Sequence, residues 1–163
     1  MNENFVVTVD RGHLRIYSEH RAPGQTPRLD LVEAMDFPQG KKSYTSNDSD
    51  VAGRFNSSKH QSGAPGAPGG IMGGRSGMSI DERLPMKEEV ERRNVRVIAE
   101  EVETFMRNRP NATWDFAAPP ALHNAVIEAL PPETRGRMRK ALAKDLANQS
   151  SEAVRAHFET AER

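Results

Sequence analysis

Residues 63–77, which read GAPGAPGGIMGGRSG, constrain this fold more than any other segment and hold seven of the chain's twelve glycines. Glycine loses the most backbone entropy on ordering and brings no side chain to a core, so the segment predicts a loop rather than a packed element. The surrounding stretch 40–82 is rich in Ser, Asn, Asp, Gly and Pro and has neither helical nor strand periodicity. We therefore predict a long, mobile, Gly-rich insert, of the kind that is usually functional or disordered within a small domain.

The composition is that of one small domain with balanced charge. A length of 163 residues predicts a single domain over 1–163, and the roughly 120 residues outside the insert suffice for one core. Lys and Arg number 23, as do Asp and Glu, so no overall field attracts nucleic acid. The absence of cysteine excludes disulfides, zinc–thiolate sites and a Cys nucleophile. Without a signal-peptide pattern or a membrane-length apolar run, the sequence predicts a cytoplasmic protein with no membrane partner.

Three strands are predicted before the insert. Residues 5–9 alternate, with the odd-numbered apolar side chains on one face. Turn chemistry at 10–12 is followed by renewed alternation over 13–17, which together indicate a hairpin. Residues 29–34 are predicted to form the third strand.

Helices are predicted to dominate the chain after the insert. Residues 85–109 form the clearest helix, with an apolar stripe at three-to-four spacing. Pro85 suits its first turn, where the missing N–H is not needed. Residues 113–118 are short and mostly apolar, which indicates a buried strand, and a second helix is predicted to follow through about residue 130.

The last third of the chain leaves one element open. Three apolar residues spaced by four within 138–146 favour a helix, but the segment is also short enough for a strand. Ser150 or Ser151 is predicted to cap a final helix that carries Val154 and Phe158. The order of elements predicts an α/β domain with a mixed β-sheet flanked by helices. The predicted core consists of Val7, Val9, Leu14, Ile16, Leu31, Val95, Ile98, Val102, Phe105, Phe116, Leu122, Val126 and Leu130.

Four blocks together resemble the bacterial family of proteins required for attachment to host cells. One of them is the Gly-rich insert with its following helix. The other three are VVTVDRG running into LRIY at 6–17, WDFAAPP at 114–120 before a helix centred on Leu122, and KDL at 144–146. The resemblance covers nearly the whole chain, and its specificity lies in the order and spacing of the blocks.

The family is similar to the central domain of archaeal and eukaryotic peptide-chain release factors. That resemblance implies a Gly-Gly-Gln loop before a long helix with a basic start. It also implies that residues 138–146 form a strand. We adopt the strand over the helical periodicity, because a neighbouring strand in a sheet can override local propensity. Here the loop reads GGIMGG at 69–74, and no Gln follows either glycine pair. The topology therefore matches the release-factor domain, whereas the catalytic motif does not.

A flexible Gly-rich loop beside a basic helix start is typical of a segment that enters a nucleic-acid or ribosomal cleft, where arginines contact phosphates. Residues 69–76 also differ by one residue from a phosphate-binding P-loop, but the strand and helix that such a loop requires are not predicted around it. The alternative is a disordered loop over a solvated face, since three glutamates at 88–91 dilute the charge. The predicted RNA- or phosphate-binding residues are Gly69, Gly70, Gly73, Gly74, Arg75, Arg92, Arg93 and Arg96.

Other polar residues favour structural roles. The cations at 135, 137 and 139 are predicted to share one face of a strand, either as an anion contact or as a charged sheet edge that resists aggregation. Asp10 and Asp145 are the acids to inspect for proximity, Asp10 being more typical of a turn, and Trp114 is predicted to lie in the core. No two histidines stand three or four residues apart, so no metal site, catalytic residue or cofactor is predicted.

The preferred hypothesis is a cytoplasmic, non-enzymatic module that binds the ribosome, a tRNA or another RNA, as the resemblance implies. One alternative is an ester hydrolase acting on peptidyl-tRNA-like substrates. The other is a protein-interaction adaptor in the regulation of surface attachment.

Overall fold

The computed structural model describes residues 3–37 and 80–161, with side chains described from Pro85 onward in the second range. Five strands and four helices are assigned in these ranges. The strands are β1 (Asn4–Val9), β2 (His13–His20), β3 (Arg28–Asp36), β4 (Thr113–Ala118) and β5 (Met138–Ala143). The helices are α1 (Ile80–Arg107), α2 (Pro120–Ala129), α3 (Pro132–Gly136) and α4 (Ser151–Thr160). This arrangement confirms the predicted α/β class.

The strands form one mixed sheet in the order β3-β2-β1-β4-β5. β1, β2 and β3 are an antiparallel meander, whereas β4 pairs parallel to β1 and β5 pairs parallel to β4. The carboxyl ends of β1, β4 and β5 therefore meet at one edge of the sheet, which we call the carboxyl edge. Loops that leave this edge are the usual place for a site in sheets with parallel strands.

Helices cover both faces of the sheet. On one face α1 and α2 enclose the larger core, where Trp114, Phe116 and Ile98 are fully buried. The indole N–H of Trp114 donates to the carbonyl of Thr134 at 2.9 Å, which satisfies its buried donor. On the other face α4 places Val154 and Phe158 over a smaller cluster. The prediction that Trp114 is a core residue is confirmed.

Two predictions about the strands need correction. Alternation predicts one buried face for β1, but all six of its residues are buried, because β1 lies in the middle of the sheet and α4 covers the second face. Leu31 was predicted in the core and is 55% exposed. It lies on β3, which has no strand paired beyond it among the described residues, so its side chain lacks the neighbours that bury a central position. The other predicted core residues are all buried.

Helix α1 begins earlier than predicted. It starts at Ile80, so Pro85 lies inside the helix and not in its first turn. The sequence does carry a helix-start signal there, because acidic residues at 81 and 82 are typical of a first helical turn. The predicted mobile insert 40–82 therefore overlaps α1 at its last three residues, and its remaining part lies outside the described residues.

The segment 131–143 combines an unforeseen helix with a strand. Residues 138–143 form the strand implied by the family resemblance, so the helical periodicity was the wrong guide there. The short helix α3 precedes the strand and contains Arg135, while Arg137 caps its end. The prediction that 135, 137 and 139 share a strand face is therefore wrong, because only Arg139 belongs to β5. The final helix is capped by Ser150, whose hydroxyl accepts from the N–H of Ala153 at 3.3 Å.

Candidate functional site

Three of the eight predicted binding residues lie in the part of the chain that the structure describes. Arg92, Arg93 and Arg96 follow one another on α1, and all three are exposed. The other five lie outside the described residues: Gly69, Gly70, Gly73, Gly74 and Arg75. The structure thus brings three of the predicted arginines together on a single helix.

The three arginines differ in their partners. Arg92 pairs with Glu89 at 3.1 Å, and Arg93 approaches the other oxygen of the same carboxylate at 4.0 Å. Arg96 has no ion-pair partner among residues 3–37 and 85–161. Exposed pairs of this kind contribute little free energy, so Arg92 and Arg93 can exchange Glu89 for another anion.

The turn between β1 and β2 is fixed to α1. Arg11 forms an ion pair with Glu91 at 3.2 Å, and the side-chain amide of Asn94 donates to the carbonyl of Arg11 at 3.2 Å. The N–H of Phe37, directly after β3, donates to the carbonyl of Gly12 at 2.7 Å. The end of β3 and the basic part of α1 therefore both lie at the carboxyl edge, beside residues 10–12.

Asp10 organises this edge from the end of β1. Its Oδ1 accepts from the N–H groups of Gly12 and His13, each at 2.6 Å, and its Oδ2 lies 2.9 Å from Nδ1 of His13. Asn148, in the loop between β5 and α4, donates to the same Oδ2 at 2.9 Å. Burial raises the pKa of Asp10, but the hydrogen bonds from His13 and Gly12 outweigh this effect and hold the pKa below the usual 3.8. The predicted turn role of Asp10 is confirmed.

The second acid chosen for inspection lies elsewhere. Asp145 is exposed, and the residue of its loop that reaches Asp10 is Asn148. The sequence offered no signal for Asn148, because a contact over 138 positions follows only from the parallel pairing of β1, β4 and β5.

Sequence periodicity does not predict a partly buried ion cluster that lies on the α4 face. Asp115 in β4 has a side chain only 4% exposed and forms a two-pronged pair with Arg139, at 3.1 and 2.5 Å. Glu19 lies 3.6 Å from Arg139 and accepts from Asn4 at 2.5 Å. A signal did exist, because a carboxylate inside an apolar buried strand requires a cationic or hydrogen-bonding partner.

The depression beside this cluster is too small for an organic ligand. Phe158 and Glu159 of α4 and Leu29 of β3 also line it, and it offers about 20 Å³. That volume holds about one water, whereas ligand sites in proteins span about 300–1,000 Å³. We therefore assign the cluster to structure and place the candidate functional site at the carboxyl edge and the basic part of α1.

The family model described as "Protein required for attachment to host cells" matches residues 5–158. The chain belongs to this family. The match starts in β1 and ends in α4, so it takes in the whole sheet. A search of curated proteins gave no significant match.

For this host-attachment family protein, the described residues were also compared with the requirements of a metal site and of a membrane-spanning helix. Within residues 3–37 and 85–161, no group of three or more His, Asp or Glu side chains is arranged to hold a metal ion. Among the described helices, none combines the length and apolar character needed to cross a bilayer. The side chains that the carboxyl edge does present are arginines, carboxylates and the His13–Asp10 pair.

Proposed function

We propose that this host-attachment family protein binds RNA, as a tRNA or as part of the ribosome, through the exposed arginines of α1. The observation that carries the proposal is the position of Arg92, Arg93 and Arg96 on the free side of α1 at the carboxyl edge. Arg92 and Arg96 are one turn apart and share a helix face. Guanidinium groups at this spacing suit the phosphates of a nucleic-acid backbone, which they contact without reading sequence.

The start of α1 is built to reach outward. Residues 85–90 are all exposed, and the first fully packed residue of the helix is Val95. Eleven residues precede Glu91, where α1 contacts the β1–β2 turn, and they span about 16 Å at 1.5 Å per residue. The exposed residues 85–90 give this part of α1 a surface that a groove in RNA can accept.

The resemblance to the release-factor central domain supports RNA as the partner and the cytoplasm as the compartment. It supports binding more than catalysis, because the loop lacks the Gln that follows the glycine pair in release factors. The charge of α1 limits the expected strength of binding, since Arg92 and Arg93 share Glu89 in the free protein. Phosphates then compete with one carboxylate for two guanidinium groups.

The test measures binding of the purified full chain to tRNA and to ribosomes over a salt series. The variant Arg92→Ala, Arg93→Ala, Arg96→Ala is expected to weaken binding and to flatten the dependence on salt by up to about 0.7 per lost contact in a plot of log affinity against log salt. A matched control removes three exposed cations elsewhere, as Arg28→Ala, Arg135→Ala, Lys144→Ala. Equal losses in both variants would show a bulk charge effect and overturn the proposed site.

A protein-interaction adaptor is the second candidate function. It is favoured by the exposure of Leu31 and Val32 on the edge strand β3, where 55% and 47% of each residue is open to solvent. Adjacent exposed apolar residues on a sheet edge suit strand addition by a protein partner. If RNA does not bind, we expect Leu31→Lys with Val32→Lys, and not the arginine variant, to alter attachment to host cells.

A further inference from the structure

The outer face of α1 carries an apolar stripe of three exposed residues, which pack against none of the core clusters of the described residues. Met86, Val90 and Val97 are 55%, 41% and 37% exposed, although α1 buries another stripe that includes Ile98 and Val102. The spacings of four and seven residues place the three exposed side chains on one side of the helix, roughly opposite the core. Isolated exposed apolar residues need no explanation, but a line of them along one helix is typical of a contact surface.

Beside this stripe, α1 carries a row of six charged residues. When two such rows run in opposite directions, each charge faces one of opposite sign. Successive charged positions, three or four residues apart, read acid, base, base, acid, acid, base. Reversed, the same series has the opposite sign at every place. The positions are Glu89, Arg92, Arg96, Glu100, Glu103 and Arg107.

We infer that α1 is the interface of an antiparallel homodimer, in which the outer faces of two α1 helices meet at Val97, the stripe residue beside the axis. A two-fold axis beside Val97 and Ile98 would pair Glu89 with Arg107, Arg92 with Glu103 and Arg96 with Glu100 of the partner copy. All three pairs are centred within half a residue of Ile98, as an isologous contact requires. In antiparallel helix pairs the flanking residues on the same side of each helix face one another, so charges of this kind set orientation and partner choice.

The partners that each side chain has within one copy agree with this assignment. Near the ends of the series, Arg92 bonds Glu89 at 3.1 Å and Arg107 bonds Glu103 at 2.6 Å along the same helix. The two innermost charges, Arg96 and Glu100, have no ion-pair partner among the residues whose side chains are described, even though they stand four residues apart. These two lie nearest the axis, where a second copy would bring an opposite charge to each.

The dimer does not depend on RNA binding. It uses Arg92 and Arg96, so a second copy and an RNA phosphate would compete for those side chains. The experiment below contains no RNA, and therefore its outcome is independent of the proposed function.

The test is sedimentation velocity on the full chain over a range of protein and salt concentrations. We expect the wild type to reach twice the mass of one chain as concentration rises, with the dimer weakened by salt. Arg92→Glu with Arg96→Glu makes the four inner positions acidic, and Glu100→Arg with Glu103→Arg makes them basic. Each variant alone is expected to be monomeric, and an equal mixture is expected to restore the dimer, since every inner pair then joins opposite charges.

A matched control changes the same net charge away from α1, as Glu128→Arg with Glu133→Arg, and is expected to dimerise like the wild type. Circular dichroism shows whether each variant is folded. The inference is overturned if the folded wild type stays monomeric up to about 1 mM, a concentration at which even weak specific pairs form. It is equally overturned if the mixture of folded variants fails to dimerise, or if the control loses the dimer as the basic variant does.

Discussion

Asp10 shows how one side chain joins three parts of the chain at the carboxyl edge. It holds its own turn through Gly12 and His13 and receives Asn148 from the far end of the sequence. The turn contacts are predictable from the sequence Asp-Arg-Gly, because an aspartate commonly accepts from N–H groups two or three residues on. The contact with Asn148 is not, because it depends on the parallel arrangement of strands that only the assembled sheet provides.

The lowered pKa of Asp10 leads to a pH-dependent prediction. A carboxyl whose folded pKa lies below its unfolded value stabilises the protein above the unfolded pKa, and this contribution is lost as pH falls through the folded pKa. We expect Asp10→Asn to cost about 0.5–1.5 kcal/mol at neutral pH, the usual net value of a hydrogen bond. Urea unfolding at neutral pH and at about pH 2.5 should show the difference shrinking in acid. A constant difference would mean that the carboxylate charge plays no part.

The ion pair of the buried Asp115 with the exposed Arg139 leads to a second prediction about single residues. Arg139→Ala leaves the carboxylate of Asp115 almost fully buried without its main partner, and we expect a loss of about 1–3 kcal/mol. Adding Asp115→Asn to that variant should recover part of the loss, because the uncompensated charge is then gone. Thermal unfolding of the two single variants and the double variant measures the coupling. Additive losses would show that the two side chains do not interact.

At the scale of the element, α1 gives the sharpest contrast between adjacent residues. Ile98 is fully buried, whereas Val97 lies on the outer face. Ile98→Ala is expected to cost about 2–5 kcal/mol, because it leaves a cavity under the sheet. Val97→Ala, measured by urea unfolding at a concentration where the chain is monomeric, should change stability by less than about 0.5 kcal/mol. Similar costs for the two variants would mean that the helix packs differently.

The elements also show where periodicity alone is an adequate guide. The stripe of α1 and the strand β2 are predictable from the sequence because each has one clear apolar face, and β1 is predictable as a strand although both its faces are buried. β5 is not, since its apolar residues repeat every four positions while its backbone pairs with β4. The family resemblance supplied what periodicity could not, namely a neighbouring strand. The short helix α3, five residues between two turns, has too few positions to show any period.

At the scale of the whole molecule, the order of elements predicts the mixed sheet. It does not predict that helices cover both faces of that sheet. The last helix could lie on either side, and only the contacts of Val154 and Phe158 place it opposite α1. That choice makes β1 a fully buried strand and places α4 beside the pair of Asp115 and Arg139, in which Asp115 is buried and Arg139 is 37% exposed. The local pattern of β4 indicates that Asp115 needs a partner, but it does not identify Arg139, because that contact depends on the pairing of β4 with β5.

The sequence of the Gly-rich loop predicts that the protein does not hydrolyse peptidyl-tRNA. Release chemistry in the similar fold requires Gly-Gly-Gln, and here Ile71 and Arg75 follow the glycine pairs. Of the histidines that the structure describes, His13 lies at the carboxyl edge, where Asp10 holds its Nδ1 at 2.9 Å, and an imidazole in such a pair can serve as a base. Backbone N–H groups of loop glycines can stabilise an oxyanion, so weak ester cleavage is the one chemistry worth excluding directly.

The measurement is turnover of a charged tRNA minihelix by the purified protein beside two variants, His13→Gln and Gly73→Ala with Gly74→Ala. We expect all three to give background rates. Turnover above background that disappears in either variant would replace the binding proposal by the hydrolase alternative, with that variant identifying the responsible group. Background rates together with salt-sensitive tRNA binding would support the binding proposal over the hydrolase alternative, because no Gln follows either glycine pair of the loop.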